Sequence, residues 1–110
     1  CEGSSSLEIG ADAMAVVCAP SPEDRYTPCI DRLFLTAAAK FGVRCVGVVL
    51  TGMGDDGAIG ARKIREAGGR VFAENPDTAL IAGMPIAAQR VGGVDEFLDL
   101  DEIAARIREG

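Results

Sequence analysis

The run Thr51-Gly52-Met53-Gly54-Asp55-Asp56-Gly57-Ala58 concentrates the residues of this chain that could do chemistry. Glycines let a backbone approach a ligand closely, and two adjacent carboxylates offer charge and acceptor oxygens. Four uses fit these residue types. First, Gly52, Gly54 and Gly57 satisfy the G-x-G-x-x-G spacing of a dinucleotide-binding turn, and Glu74 ends the next strand where a ribose partner would stand. Asp55 and Asp56 oppose that use, because at ~4 Å and an effective dielectric of ~20 each repels a pyrophosphate charge by about 4 kcal/mol. A helix N-terminus offsets only ~1–2 kcal/mol of this. Second, the same carboxylates could serve magnesium, which accepts one or two acids plus water; no phosphate-binding lysine or third acid accompanies them. Third, one Asp could orient an imidazole in a hydrolytic triad, with the Gly52-Met53-Gly54 backbone aiming N–H groups at a developing oxyanion. Fourth, an Asp could simply cap the helix that follows.

The surrounding elements decide where this run can act. Cys45-Val46-Gly47-Val48-Val49-Leu50 is nearly all apolar, the pattern of a strand covered on both faces in a parallel sheet. The run therefore lies at the carboxyl end of a strand and opens a helix over Ala58 to Ala67, where open α/β sheets place their ligands. Gly57, Ala61, Ile64 and Gly68 share one side of that helix, and the small ones let it sit close to the sheet. Upstream, Ile30, Leu33, Phe34, Ala37, Ala38 and Phe41 form one apolar helical stripe, with Pro28 near its start and Gly42 closing it. Residues 7–17 read as a strand or hairpin, and Ala19 to Asp24 as a surface loop.

Downstream, Arg70 to Ala73 is a short strand, and Asp77 can cap a short helix through Ala82. Gly83-Met84-Pro85 breaks the chain, and Ile86 to Val91 adds a further turn or two. Val94 to Leu98 is a third strand, and Asp101 caps a final helix carrying Ile103, Ala104 and Ile107 inward. Strands alternating with helices imply right-handed parallel crossovers. The expected fold class is α/β, part of a doubly wound, mainly parallel sheet flanked by helices in three α/β/α layers.

A chain of 110 residues is one domain's worth. Its 11 basic against 17 acidic residues give a net charge of −6, which would repel a nucleic-acid backbone, so no nucleic-acid partner is expected. The histidine count is zero. The chain therefore cannot build a Ser-His-Asp or Cys-His set by itself, and it lacks the commonest ligand of catalytic zinc. Cys1, Cys18, Cys29 and Cys45 contain no Cys-x-x-Cys pair, and Cys18 and Cys45 read as small buried thiols in apolar surroundings. No apolar run approaches the ~20 residues of a membrane span and no signal peptide is visible, so a cytoplasmic protein without membrane insertion is expected. The chain opens Cys1-Glu2-Gly3 without an initiator Met, as a processed, tagged or excised piece would.

Several motifs agree in order and separation with one known pattern: Val48 through Ala58, then Ala67-Gly68-Gly69, Asp77-Thr78-Ala79 and Gly83-Met84-Pro85, with Pro28-Cys29-Ile30-Asp31-Arg32-Leu33-Phe34 entering the upstream helix. Over roughly residues 28–107 the chain resembles the bacterial chemotaxis protein-glutamate methylesterases (CheB type). The resemblance implies that residues 1–110 are the carboxyl-terminal portion of one methylesterase catalytic domain, with no receiver domain. It implies a cytoplasmic hydrolase that removes methyl esters from glutamates in chemoreceptor cytoplasmic segments by a Ser-His-Asp mechanism, releasing methanol. By position Asp56 is the triad acid and the Met53 backbone N–H belongs to the oxyanion hole, while Gly52, Gly54, Asp55, Gly57 and Met84 support the loop or the substrate. No cofactor or metal is implied.

The family's serine and histidine lie in the amino-terminal half of that domain. This chain alone is therefore expected to be inactive, and to pair with that missing half or self-associate through an unpaired sheet edge. Three positions depart from the pattern: Cys29 stands where serine is usual, and Glu74-Asn75 replaces a Gln-Asp pair. The alternatives are a degenerate, non-catalytic receptor-binding module and the dinucleotide-binding α/β domain outlined above.

Overall fold

The computed structural model describes residues 5–26 and 28–109, so Cys1 lies outside the described residues. The first element is a hairpin of β1 (Ser6–Ile9) and β2 (Ala15–Cys18), antiparallel with Ser6 opposite Cys18. The Gly10 N–H donates to the Met14 carbonyl and closes its turn. Strand β1 rests on the helix that follows, α1 (Ile30–Phe41), whereas residues 15–17 of β2 are exposed. Cys18 is consequently half-buried, whereas Cys29 and Cys45 are buried, and all three are free thiols.

The apolar stripe expected over Ile30 to Phe41 is α1, and it ends where Gly42 takes φ 53°. After a 3₁₀ turn the chain runs β3 (Val46–Val49), α2 (Ala58–Glu66), β4 (Arg70–Glu74), α3 (Gly83–Arg90), β5 (Glu96–Leu98) and α4 (Leu100–Glu109). The three strands β3-β4-β5 form a parallel sheet with Val48 opposite Phe72 and Phe72 opposite Glu96. Strand side chains alternate between faces. Val49, Val71 and Ala73 pack with Ala38, Ala61, Ile64 and Ala88 from α1, α2 and α3, while Phe72 and Leu98 meet Ile103 of α4 on the other face. Helices thus cover a parallel sheet from both sides, the three-layer α/β class that the pattern implied.

Five local expectations change. The strand expected to be covered on both faces buries Gly47 and Val49, but Val46 and Leu50 are exposed, because α4 lies mainly over β4 and β5. Residues 77–82 form turns rather than a helix: the Asn75 carbonyl accepts the Thr78 and Ala79 N–H groups, and its side-chain oxygen accepts the Asp77 N–H. The helix instead starts at Gly83, with Pro85 inside its first turn, where a missing N–H costs nothing because that N–H has no intrahelical acceptor. The last helix begins at Leu100, one residue before Asp101, and the Glu102 carboxylate accepts the Asp99 N–H as in half of a capping box. Of its three expected inward residues only Ile103 is buried; Ala104 and Ile107 are exposed.

Candidate active site

Gly57 takes φ 90°, a left-handed conformation that glycine adopts without the Cβ penalty. That turn sends the preceding carboxylate away from α2 and toward the start of α1. Both Asp56 oxygens accept the Ile30 N–H, at 3.0 and 2.9 Å, and Oδ1 also accepts the Asp31 N–H at 3.3 Å. Asp56 is 8% exposed. An Asp does cap a helix here, but the helix is α1 and not the α2 that follows it in sequence. The cap also compensates for Cys29, which precedes α1 and supplies no side-chain cap of its own.

The α2 terminus is capped in return. Asp31, in the first turn of α1, accepts the Gly60 N–H at 2.7 Å. Each helix start is therefore tied to a carboxylate from the other, and the two positive helix ends face the two acids that complement them. Burial raises the Asp31 carboxyl above the usual aspartate value, opposed by the Gly60 N–H and reinforced by the nearby negative charges of Asp56 and Asp55. With a raised folded-state value, the folded protein binds more protons than the unfolded chain between the ordinary aspartate range and that raised value. Ionisation on raising pH through this window thus costs stability. Asp31→Asn keeps the acceptor oxygen without the charge, so at neutral pH it is expected to be neutral or slightly stabilising, with the difference from wild type vanishing below about pH 4. Asp31→Ala, which leaves Gly60 without its acceptor, should cost about 0.5–2 kcal/mol at neutral pH. Urea denaturation of both variants across pH 3–7 checks the pair.

Asp55 takes a separate role on the surface. Its carboxylate accepts from the Arg25 guanidinium at 2.8 Å and the Tyr26 hydroxyl at 3.0 Å, and these two donors, Arg25 first, hold its carboxyl below the usual range. Being exposed, the ion pair contributes little to stability. It does join the 23–26 segment to the loop. Asp55 and Asp56 line a hollow of about 560 Å³ together with Tyr26, Cys29, Leu35 and Ile59. A wider hollow of about 840 Å³, edged by Arg62, Arg65, Gly69 and Arg90, lies at the amino ends of the strands and does not include the loop.

The front of the loop is bound to the 81–84 segment. The Gly52 N–H donates to the Ile81 carbonyl at 2.8 Å, the Met84 N–H donates to the Gly52 carbonyl at 2.9 Å, and the Thr51 hydroxyl both accepts from the Ile81 N–H and donates to the Ile81 carbonyl. Gly52 permits this contact, because a Cβ there would stand 2.5 Å from the Met84 sulfur. Met84 is thus a support for the loop. Met53 is 79% exposed. Its N–H and that of Gly54 have no acceptor among the described residues, so both can donate to an incoming group. Glu74 is 4% exposed and accepts the Thr51 N–H at 3.1 Å. A side chain so placed is not presented to a ribose, and Gly52 and Gly57 already have a packing and a turning role; the dinucleotide spacing has another explanation here. No cluster of three or more potential metal ligands occurs among the described residues.

The sequence pattern singled out Asp56, Met53 and Met84, but gave no sign that Asp31 accepts from Gly60 or that Arg25 and Tyr26 hold Asp55. An acid in a helix's first turn is common on dipole grounds alone, so Asp31 carries no local signal that it caps a second helix. Among the described residues no helix is long and apolar enough to cross a membrane.

Comparison with known proteins, in sequence and in fold, points to one family. The family model described as CheB methylesterase matches residues 1–107. The chain is 48% identical to protein-glutamate methylesterase/protein-glutamine glutaminase 1 of Myxococcus xanthus over 76% of this chain and 24% of that protein. It is 43% identical to protein-glutamate methylesterase/protein-glutamine glutaminase 3 of Geobacter sulfurreducens over 89% of this chain and 26% of that one. The chain therefore spans about a quarter of the length of these relatives. The crystal structure of the Thermotoga maritima CheB methylesterase catalytic domain superposes with a TM-score of 0.89 at 29% identity, covering 97% of this chain and 58% of that one. With a family match along nearly its whole length and the same fold in a solved relative, the chain belongs to the CheB methylesterase family.

Proposed function

We propose that this chain supplies the acid and an oxyanion donor of a Ser-His-Asp esterase that demethylates glutamate methyl esters on chemoreceptors. The observation that carries this reading is the Asp56 carboxylate: buried, fixed by the Ile30 and Asp31 N–H groups, and set in the same loop as the unengaged Met53 N–H. An ionised carboxylate has about four acceptor positions, so the two backbone donors leave room for an imidazole Nδ1–H. A histidine held that way keeps Nε2 toward a serine hydroxyl and takes its proton as the oxygen attacks the ester carbonyl. The imidazolium then protonates the departing methoxide, methanol leaves, and water hydrolyses the acyl-serine with the same histidine as base. The Met53 N–H stabilises the tetrahedral oxyanion in each half-reaction. The relatives' names also include a glutaminase, and the same groups would hydrolyse a glutamine side-chain amide with ammonia as the leaving group.

The sequence contains no histidine, so the base comes from outside residues 1–110. A docking place for the remainder of a larger domain is the outer edge of β3, which has no strand partner among the described residues and carries Val46 at 48% exposure. Self-association through that edge is the competing use. Methylated chemoreceptor segments are the substrate partners on this reading.

The chain alone, mixed with methylated receptor, should release no methanol above background. Adding a polypeptide with the amino-terminal half of a family catalytic domain should restore release. Methanol production by the chain alone would overturn the division of labour. A complex that forms and binds receptor without turnover would point to a binding module instead.

A further inference from the structure

We propose that Glu74 is a positioning residue that aims the Met53 N–H, an inference that rests on the esterase reading above. Three successive peptide planes lead into the loop. The first carries the Thr51 N–H, which donates to Glu74 Oε1 at 3.1 Å. The second carries the Gly52 N–H, which donates to the Ile81 carbonyl at 2.8 Å. The third joins Gly52 to Met53: its carbonyl accepts the Met84 N–H at 2.9 Å, and its N–H has no acceptor among the described residues. A trans peptide is rigid and points its C=O and N–H in opposite directions. Anchoring the Gly52 carbonyl on Met84 therefore directs the Met53 N–H away from the 81–84 segment. The tilt of that plane depends on the two planes before it.

In this ladder the anchors of the second and third planes are backbone groups. Glu74 is the side chain that holds the first. It stands at the end of β4 with 4% exposure, and a buried carboxylate is kept only where donors meet it. Its charge is not needed for the task. A glutamine oxygen in the same place accepts the same N–H, and a neutral side chain near the loop does not oppose a developing oxyanion as a carboxylate does. The functional part of Glu74 is one oxygen at one position.

The test compares Glu74→Ala and Glu74→Gln in the complete protein, beside Asp56→Asn as a control for the triad. Glu74→Ala should speed hydrogen exchange of the Thr51 amide by about tenfold or more. It should also lower kcat by roughly 10–100-fold, less than the ~10²–10³ lost on deleting an oxyanion donor, with KM within about threefold because ground-state binding is untouched. Glu74→Gln should restore both readouts. Unchanged Thr51 exchange and kcat in Glu74→Ala, alongside a crippled Asp56→Asn, overturn the proposal; so does a Glu74→Gln variant that behaves like Glu74→Ala. If Asp56→Asn keeps full turnover, the triad reading is what has failed, and the Thr51 exchange rates alone decide the role of Glu74.

Discussion

Asp56→Asn should cut turnover of the complete enzyme by up to about 10⁴-fold while leaving unfolding stability within roughly 0.5 kcal/mol of wild type. On the esterase reading proposed above, the two halves of this expectation come from two tasks of one carboxylate. Asparagine keeps a side-chain oxygen that can accept the Ile30 and Asp31 N–H groups, so the cap on α1 survives. Its NH₂ group, turned toward an imidazole, donates where the carboxylate accepted. That stabilises the wrong tautomer and takes the basic nitrogen away from the serine. Asp56→Ala should lose turnover as well and, in addition, cost about 1–3 kcal/mol, because two N–H groups at a half-buried helix start then have no acceptor. Methanol release under saturating substrate and urea denaturation of both variants separate the tasks. Full turnover in Asp56→Asn would remove the triad assignment, and an Asp56→Ala variant as stable as wild type would remove the cap.

Ile64→Ala should destabilise the chain by about 2–5 kcal/mol, a large share of the ~5–15 kcal/mol that holds a typical domain folded. Ile64 is 1% exposed and lies between α2 and the sheet. The space around it is made by glycines: a Cβ on Gly47 would stand 2.9 Å from Ile64 Cδ1, and one on Gly69 would stand 2.8 Å from Cγ2. Residues without side chains cannot extend to fill a void, so the cavity left by truncation persists and the cost falls in the upper part of the range. Ile64→Val, which removes one methylene, should cost only about 0.5–1.5 kcal/mol. Each kcal/mol lowers Tm by roughly 4–8 °C in a domain of this size class, so the two variants separate clearly in a thermal melt. A change of less than about 1 kcal/mol in Ile64→Ala would mean that α2 settles onto the sheet despite the glycines.

Much of the architecture could be read from local pattern, because strand and helix periodicities are written into neighbouring residues. The stripe from Ile30 to Phe41, the apolar run at Cys45 to Leu50 and the glycines at 68–69 each report an element or its end within a few positions. The errors fell where a local signal had two outcomes. Asp77 looks like a helix cap, but Asn75 uses the next N–H groups to close turns instead. Pro85 looks like a breaker, yet it is tolerated in the first turn of α3. Ile107 has helical spacing from Ile103, yet it is exposed, since α4 lies mainly over β4 and the short β5.

The sequence by itself determined the α/β class, the place of the 51–58 loop between a strand and a helix, and the lack of any histidine, since these depend only on residue types, their spacing and their count. Tertiary structure alone decided which helix Asp56 caps, that Asp31 returns the contact to Gly60, and that Glu74 accepts from Thr51. Each of these links residues 23 or more positions apart. A capping pattern in sequence reaches only a few residues along the chain. Here the left-handed turn at Gly57 and the packing of α1 on α2 bring a carboxylate to a helix end that no local spacing connects to it.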